Sequence, residues 1–484
     1  MASIETIRFA PPARDGIDPP CFDRLLNNCC TAQLKRDAPT RRTTFRSFPQ
    51  DDLTPEARLP QAGNDAARFG DGESAAVDGP CSSIAHLKPN PDPHRTECPM
   101  SIASALGLTS GKKIRYAFVA LGDITQEAML PGVEHTGNSE VVAFVTGDSE
   151  KARLVGEKYG VSDTYSYERF DELLASGTID AIYLATPNWR HTEFAVPALK
   201  AGIHVLVEKP LEISTAKCRE ILDAAKTSSA KLMVAYRLHF EPGTLATIDL
   251  IRSGKLGELL TFSSTFTQMV SPENHRAKNG VEAGPIFDMG PYPVNAARYV
   301  FGDEPIEVVS AVGVRHPEAG LGDFDDTVAV TLRFPGDRLA QFVLSYWGNT
   351  LDTYAVVGTK GSVEVNPGYM YGKPIEHVVT IGETKSHESF KNTDHFGGEL
   401  KYFSDCILND KEPEPDGEEG YADVRVLEGI VQALQTKAAV TLEPFTRSKR
   451  IDTAAQRETL RAQKSPELVN TSNPGKDKEK VPAN

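Results

Sequence analysis

The 484-residue sequence lacks two features that would place it in common functional classes. It has no apolar run close to the roughly 18 residues needed to cross a bilayer, so we predict no membrane partner. It also lacks an excess of positive charge, because its formal net charge is −15. Such a chain offers no broad basic face for a phosphate backbone, which argues against nucleic acid as a partner.

Cysteine is scarce in the body of the chain. Only Cys218 and Cys406 follow Met100 among the seven cysteines, and their spacings match no zinc pattern. Two scattered cysteines cannot staple a domain, so we expect a reducing compartment and no metal site. Arg41 and Arg42 are followed by no apolar segment, so they do not form an export signal. The sequence therefore predicts a cytoplasmic protein.

Apolar periodicity is also missing at both ends of the chain. Residues 1–99 hold 13 of the 33 prolines and cannot bury enough apolar surface to offset the entropy of ordering. We predict a disordered extension over residues 1–110, with Met100 as a possible translation start. A flexible tail is predicted over residues 451–484.

Short apolar runs alternate with helical patterns after residue 110. The predicted strands are 114–121, 141–145, 181–185, 204–207 and 231–235. Between them, the predicted helices are 149–159, 167–176, 191–201 and 215–228. Alternation of this kind is typical of a doubly wound parallel sheet, so we predict an α/β Rossmann domain over residues 111–235.

A different pattern occupies residues 236–450, where longer runs alternate apolar with polar or small residues. The predicted strands are 259–267, 306–314, 327–334, 339–345, 353–357 and 362–365, and two later helices are predicted at 396–408 and 421–436. This pattern predicts an α+β domain with a large, mostly antiparallel sheet that is open on one face. An open apolar face favours association, so we expect a homodimer or homotetramer.

The first predicted strand runs into a loop where a dinucleotide fold places Gly-x-Gly-x-x-Gly. Only Gly122 occupies a motif position in the segment Ala120-Leu121-Gly122-Asp123-Ile124-Thr125. Glycines at such a loop let the backbone approach a pyrophosphate at a helix N-terminus. The segment is interpreted either as a phosphate loop or as an ordinary turn from strand to helix.

The second predicted strand ends at Thr146 and Gly147, where NAD enzymes usually carry an acidic residue for the ribose hydroxyls. A small hydroxylated residue leaves room for a 2′-phosphate, and Lys151 lies one helical turn further on. This arrangement favours NADP, with NAD as the alternative. It is also compatible with an ordinary capped helix start and a solvated lysine.

Two further loops lie at the carboxyl ends of predicted parallel strands, the edge at which open α/β sheets bind ligands. One holds Thr186, Pro187 and Asn188, followed by His191, and the other holds Glu208 and Lys209. The ammonium of Lys209 could polarise a substrate oxygen, although an exposed lysine or asparagine in a loop is more commonly only solvated.

Asp288 and Tyr292 stand four residues apart around the start of a helix predicted to end at Phe301. Their side chains could point the same way, and the positive end of the helix dipole would favour a carboxylate and a tyrosinate alike. A capping aspartate with a partly buried tyrosine is the simpler alternative.

These motifs together resemble the Gfo/Idh/MocA family of oxidoreductases, in particular its glucose-fructose oxidoreductase branch. The resemblance runs from about residue 113 to about residue 443. Its most specific segments are Glu208-Lys209-Pro210, Tyr236-Arg237-Leu238-His239, the stretch from Gly284 through Tyr292, Asn295 and Arg298 to Val308, and the late segment from Gly417 to Arg425.

The resemblance implies roles for individual residues. Lys209 would polarise the substrate, and Asp288 with Tyr292 would form the acid/base pair. The nicotinamide end of the cofactor cleft would be lined by Asn188, His191, Glu208 and Arg237. Many inositol dehydrogenase-like members carry histidine at the position of Tyr292, so the resemblance favours an aldose over inositol.

We therefore expect an NAD(P)-dependent oxidoreductase that transfers hydride to or from a sugar or polyol. Two alternatives stay open. A non-catalytic, NAD(P)-sensing regulatory protein would use the same fold, but its mark would be loss of the lysine or the acid/base residue. A dehydratase or glycosidase that begins with transient oxidation would use the same residues.

Overall fold

The computed structural model describes residues 111–462, 464 and 466–471. The predicted extension over residues 1–110 and the possible start at Met100 lie outside these residues. Within the described part of the chain, no helix is both long and apolar enough to span a membrane.

A six-stranded parallel sheet forms the first half of the described chain, with strand order β3-β2-β1-β4-β5-β6. The strands are β1 (Ile114–Val119), β2 (Ser139–Val145), β3 (Asp163–Tyr165), β4 (Ala181–Leu184), β5 (His204–Glu208) and β6 (Leu232–Ala235). This is the doubly wound order, so the predicted Rossmann fold is confirmed. Strand β3 was not predicted, because its three residues are exposed or half-buried and form no apolar run.

Helices cover both faces of this sheet. They are α1 (Leu130–Thr136), which continues a π-helical turn (Thr125–Met129), α2 (Ser149–Tyr159), α3 (Phe170–Ala175), α4 (His191–Lys200) and α5 (Thr215–Lys226). On one face Val119 packs in a cluster with Phe194, and on the other Phe118 packs in a cluster with Leu130. Burial on both faces explains why these strands are almost continuously apolar in sequence.

The second sheet has nine strands in the order β14-β13-β12-β11-β7-β10-β9-β8-β15. They are β7 (Leu259–Met269), β8 (Glu307–Val314), β9 (Thr327–Phe334), β10 (Arg338–Ser345), β11 (Trp347–Gly358), β12 (Gly361–Asn366), β13 (Glu376–Ile381), β14 (Thr384–Ser389) and β15 (Val440–Thr441). The pair β7 and β10 is parallel, and the other neighbouring pairs within this sheet are antiparallel. The predicted mostly antiparallel sheet is therefore confirmed.

Helices cover one face of the nine-stranded sheet. The helices of this half are α6 (Pro242–Arg252), α7 (His275–Lys278), α8 (Pro285–Asp288), α9 (Pro291–Phe301), α10 (His395–Leu408) and α11 (Gly417–Thr436). Val330 and its neighbours on the covered face share a core cluster with Val294 of α9 and Leu427 of α11. Ala329 faces the other side and is exposed, so the sheet is open on one face, as expected.

Helix α10 belongs by contact to the first sheet rather than the second. Its residues Phe396, Leu400 and Phe403 pack in a cluster with Tyr116 and Phe118 of β1. The chain therefore returns to the Rossmann sheet after β14, before it adds the last strand, β15, to the second sheet.

The beginning of the predicted flexible tail differs from expectation. Ile451 packs with Leu245 and Ile248 of α6. The side-chain amide of Gln456 is fully buried and donates to the carbonyl of Glu414 over 2.7 Å. The segment therefore packs on the body of the protein despite its weak apolar periodicity. The sequence pattern could not predict this, because the partners of Ile451 and Gln456 lie far away in the chain. The residues after Thr471 lie outside the described part.

Candidate active site

The loop after β1 makes the sharp turn that a dinucleotide fold requires, with only one of the motif glycines. Ala120 adopts a left-handed conformation with φ of 75°, which glycine would take without strain. The Thr125 hydroxyl donates to the Ala120 carbonyl over 3.0 Å and helps to close the turn. A Cβ built on Gly122 would meet no atom within 4 Å, so space lies open beside the loop.

The turn after β2 holds Thr146 and Gly147. Thr146 is buried, and its hydroxyl accepts a hydrogen bond from the Asp148 amide over 3.3 Å. Asp148 caps α2 by accepting from the amide of Lys151 over 2.9 Å. The interpretation of this segment as a capped helix start is therefore confirmed, and the cap uses the backbone amide of Lys151 and not its ammonium.

The loop after β4 brings only some of its predicted residues to the cleft. The Thr186 hydroxyl is buried and has no hydrogen-bond partner among the described residues. Asn188 donates to the Glu282 carbonyl over 3.3 Å, which joins this loop to the second half of the chain. His191 is fully buried, with its ring nitrogens 3.1 Å from the carbonyl oxygens of Thr186, Pro210 and Leu211.

His191 thus connects two loops from inside, and the structure does not bring it to the cleft surface. Burial lowers its pKa to about 4, so the ring is neutral at pH 7. The sequence placed it beside the nicotinamide because its neighbours line the strand edge, whereas its side chain points into the interior.

Lys209, Asp288 and Tyr292 lie together, although 79 residues separate the first two. The Lys209 ammonium donates to the Asp288 carbonyl over 2.9 Å and lies 3.9 Å from carboxylate oxygen Oδ1 of the same residue. It also lies 4.6 Å from the centre of the Tyr292 ring. Asp288 is the last residue of α8 and Tyr292 is the second residue of α9, so two successive helices present this pair to the end of β5.

Arg276 and Tyr346 hold the Asp288 carboxylate, and neither was predicted from the sequence. Arg276 Nε and the Tyr346 hydroxyl donate to Oδ2 over 2.9 and 2.8 Å. Burial alone would raise the pKa of Asp288, but the charges of Arg276 and Lys209 outweigh it and hold the pKa at about 2. This carboxylate is therefore ionised at neutral pH. Neither neighbour had a sequence signal, because one lies in a four-residue helix and the other follows the end of a strand.

Arg237 is a second cation beside Tyr292, with its guanidinium 5.4 Å from the ring centre. Its Nη2 donates to the Tyr292 hydroxyl over 3.4 Å and to the carbonyl of Tyr369. Its guanidinium also lies 5.1 Å from the Tyr371 ring, and the Tyr371 hydroxyl donates to Glu127 over 3.0 Å. Tyr369 and Tyr371 come from the loop between β12 and β13, which carries no motif and was not predicted.

Glu208 lies beneath this group and faces α10. Its carboxylate accepts a hydrogen bond from the Tyr183 hydroxyl over 2.7 Å. Burial raises its pKa, although the charge of Lys209 opposes the shift. Glu399 of α10 is fully buried nearby, and burial together with the charge of Glu208 raises its pKa well above the ordinary range. The Glu399 side chain is therefore shielded from solvent, whereas Glu208 is half-buried.

Other motif residues form a separate buried cluster. Arg298 donates to Glu304 over 2.6 Å, to Glu419 over 2.9 Å and to Asp423 over 2.7 Å. Arg447 donates to Glu419 over 2.8 Å. We call Arg298, Glu304, Glu419, Asp423 and Arg447 the interior cluster. It joins α9, α11 and the chain beyond α11. Arg298, Glu304, Glu419 and Asp423 lie in segments on which the family resemblance rests, so these motif residues have a structural role.

The residues at the carboxyl edge of the parallel sheet fit a nicotinamide dinucleotide. The space beside Gly122 lets a ligand approach the backbone, and the first amides of the following helix have no intrahelical acceptors. The unpartnered Thr186 hydroxyl offers one further polar contact. In the part of the chain that the structure describes, no group of three or more histidine, cysteine or acidic residues could hold a metal ion.

A Rossmann sheet with a lysine, a tyrosine and a carboxylate at its ligand-binding edge defines a dinucleotide-dependent oxidoreductase. The family models agree with this class. Residues 114–236 match the model of the oxidoreductase family with an NAD-binding Rossmann fold, and residues 244–364 match the GFO/IDH/MocA C-terminal domain. The chain belongs to the Gfo/Idh/MocA family of oxidoreductases, as its motifs predicted.

Individual relatives extend this result. The chain is 29% identical over 338 residues to D-xylose 1-dehydrogenase [NADP(+)] of Haloarcula marismortui, covering 68% of this chain and 93% of that protein. It is 29% identical over 316 residues to human trans-1,2-dihydrobenzene-1,2-diol dehydrogenase, covering 62% of this chain and 90% of that protein. Among solved structures, aldose-aldose oxidoreductase from Caulobacter crescentus, complexed with glycerol, aligns with a TM-score of 0.65 and 32% identity, covering 68% of this chain and all of that one.

Proposed function

We propose that the protein is an NADP-dependent oxidoreductase that oxidises a hydroxyl group of a sugar or polyol, or reduces the corresponding carbonyl. The observation that carries this proposal is the position of Lys209, whose ammonium lies against both Asp288 and the Tyr292 ring at the ligand-binding edge of the sheet. Relatives named as NADP-dependent xylose dehydrogenase and aldose-aldose oxidoreductase support a sugar as substrate.

Each side chain has a distinct part in this proposal. The nicotinamide accepts or donates the hydride when it is bound. In the reducing direction the Tyr292 hydroxyl gives its proton to the substrate carbonyl oxygen as the hydride reaches the carbonyl carbon, which leaves a tyrosinate and an alcohol. Lys209 donates a hydrogen bond to the same substrate oxygen, and oxidation follows the same steps in reverse, with the tyrosinate as the base. Arg237 and Lys209 place two positive charges next to Tyr292, and these charges stabilise the negative charge that develops on oxygen as the proton moves.

Asp288 serves as a charge partner in this proposal and does not take the proton. A base with a pKa of about 2 accepts protons poorly at neutral pH. Its contacts with Arg276 and Tyr346 fix the carboxylate, and the Asp288 carbonyl in turn fixes the ammonium of Lys209.

NADP is favoured over NAD because Thr146 stands where an acidic residue would repel a 2′-phosphate, with Lys151 beside it. Titration of the protein with both dinucleotides, followed by fluorescence, should give the lower dissociation constant for NADP. Lys151→Ala should weaken NADP binding roughly 10- to 100-fold and leave NAD unchanged, as expected for a charge-assisted hydrogen bond of about 1.5–3 kcal/mol. Arg153→Ala, on the same helix but paired with Glu150 and Glu157, is the matched control.

Reduction of NADP in the presence of aldoses and polyols tests the reaction itself. Dinucleotide binding without turnover of any of these compounds would favour the sensing alternative. Absence of binding at millimolar NADP and NAD would contradict the proposed function altogether.

We also propose that the open face of the nine-stranded sheet joins copies of the chain into a dimer or tetramer. This face exposes large apolar side chains, among them Val312, which is 61% exposed, and Leu351, which is 50% exposed. Light scattering at micromolar concentration should give an oligomer, and Val312→Asp should shift it towards monomer. A monomeric wild-type protein would contradict the idea. The cytoplasmic location stays a prediction.

A further inference from the structure

Residues 466–471, which we call the strap, lie against the helix that follows the β1 loop. Gln126 of this helix and Val469 of the strap form two hydrogen bonds across 343 residues of chain. The side-chain amide donates to the Val469 carbonyl over 2.9 Å, and the Val469 amide donates to the side-chain oxygen over 2.8 Å. The Val469 side chain packs in a cluster with Ile124, and Gln126 is buried.

Gln126 connects the strap to the loop itself. Its side-chain nitrogen also donates to the carbonyl of Leu121 over 2.9 Å. The Thr471 hydroxyl donates to the carboxylate of Asp123, the first helical residue, over 3.3 Å. The strap therefore contacts Asp123 directly and reaches the Leu121 carbonyl through the side chain of Gln126.

This loop needs outside support for two reasons. Ala120 holds a left-handed conformation that is strained for any residue except glycine. Asp123 places a negative charge where the phosphates of a dinucleotide would approach the helix N-terminus. Without the strap, the buried amide of Gln126 would lose two hydrogen-bond partners, which is unfavourable away from water.

We propose that Gln126 and the strap are part of the dinucleotide-binding site, with Gln126 as a positioning residue for the phosphate loop. The inference rests on the proposed function, because it assumes that a dinucleotide binds beside Gly122. The docked strap holds the loop in its binding shape, and the bound dinucleotide stabilises the docked strap in return. The docked strap therefore slows dissociation of the dinucleotide.

Two shortened chains test this proposal. One ends at Lys464 and lacks the strap, and the other ends at Thr471 and keeps every strap residue. We expect NADPH to dissociate at least tenfold faster from the chain that ends at Lys464, as measured by stopped-flow fluorescence with an excess of competing NADP. The chain that ends at Thr471 should match the full-length protein.

A point variant separates the strap contact from loss of chain. Gln126→Leu removes all three hydrogen bonds of the side chain and should accelerate NADPH dissociation as strongly as the shorter chain does. Arg457→Ala is the control, because it removes an ion pair with Asp249 that holds the chain before the strap on α6, away from the loop. It should leave the dissociation rate unchanged.

The reciprocal effect provides a readout that a purely structural strap would not show. Arg461 and Lys464 are exposed just before the strap, so trypsin can cleave there. Bound NADPH should slow this cleavage, as followed by mass spectrometry of the C-terminal fragment. Gln126→Leu should abolish the protection.

The outcomes distinguish a failure of the strap proposal from a failure of the proposed function. A wild-type dissociation rate in both Gln126→Leu and the chain ending at Lys464 would overturn the inference, even if both variants melt at lower temperature. Failure of the intact chain to bind either dinucleotide would overturn the proposed function instead.

Discussion

Two groups of charged residues come from the same family motifs and differ in what surrounds them. In the interior cluster, all three nitrogens of Arg298 are hydrogen bonded to carboxylates of Glu304, Glu419 and Asp423. At the sheet edge, the Lys209 ammonium makes one hydrogen bond, to a carbonyl, among the described residues. The Lys209 ammonium can therefore donate further hydrogen bonds to a substrate. Arg298 has no nitrogen left for a ligand, so it can only hold the surrounding helices together.

The pKa shifts in the interior cluster also indicate a structural role. In the interior cluster, burial would raise the pKa of Glu419, but Arg298 and Arg447 lower it to about 2. Burial raises the pKa of Asp423 to about 7, with Glu419 adding to the shift and Arg298 opposing it. These two carboxyl groups share Arg298, so the shifts describe a fixed network and not a group prepared for catalysis.

The largest expected effect concerns the cleft. Tyr292→Phe should lower turnover by about 10²–10⁴-fold, the usual contribution of general acid/base catalysis, without changing NADP affinity or melting temperature. Lys209→Ala should cost at least as much, and the double variant should lose less than the product of the two because the residues act together. Steady-state kinetics under conditions where chemistry limits the rate would check this. Near-normal turnover of Tyr292→Phe would remove the tyrosine from its proposed role.

The interior cluster should respond in the opposite way. Arg298→Met removes the arginine that the buried carboxylates of Glu304, Glu419 and Asp423 share, and it should destabilise the fold by about 3 kcal/mol or more. Urea unfolding measures this loss. Activity per folded molecule should stay close to wild type, whereas a stable but inactive variant would place Arg298 in the chemistry and break the comparison.

A smaller effect is expected from pH. The folded pKa of Asp288, about 2, lies below the ordinary value near ~3.9, so its ionised form stabilises the fold above about pH 4. This contribution, about 2 kcal/mol, is lost as the pH falls from about 4 through about 2. In Asp288→Asn this part of the pH dependence should disappear, as shown by melting curves between pH 5 and pH 2.5. Parallel curves for both proteins would show that Asp288 is not held ionised by Arg276.

The smallest effect concerns strain in the cleft loop. Ala120→Gly should stabilise the protein by roughly 0.5–1 kcal/mol, because relief of the left-handed strain exceeds the entropy cost of glycine. Gly137→Ala is the matched opposite change, since Gly137 ends α1 with φ of 70° and open space around it. Thermal melting of both variants should show opposite shifts. A lower melting temperature for Ala120→Gly would mean that the loop is not strained in solution.

Much of the fold could be predicted because local pattern and burial agree. The predicted bounds of α2 (Ser149–Tyr159) and β9 (Thr327–Phe334) match the structure. The strands β13 and β14 were missed, since their residues are mostly exposed or half-buried and show little alternation. Helix α6 was missed as well, because its caps were not recognised after Tyr236.

The candidate site was predictable only where motifs mark it. Lys209, Asp288 and Tyr292 were found in sequence and lie together in the structure. Arg276, Tyr346 and Tyr371 were not found, because each reaches the site from a short helix, a strand end or a loop whose neighbours carry no signal. His191 was found but lies in the interior, since a sequence shows which residues stand at a strand end and not which way their side chains turn.

By itself, the sequence determined the class of fold, the family and the three residues at the sheet edge, because periodicity and short motifs are local properties of the chain. Tertiary structure alone decided which charged residues face the cleft and which form hydrogen-bonded ion pairs with one another in the interior. It also decided that the chain after residue 450 returns to Gln126, where Val469 satisfies a buried amide. Such pairings join residues hundreds of positions apart, and only the packing of both sheets brings their polar groups within hydrogen-bonding distance.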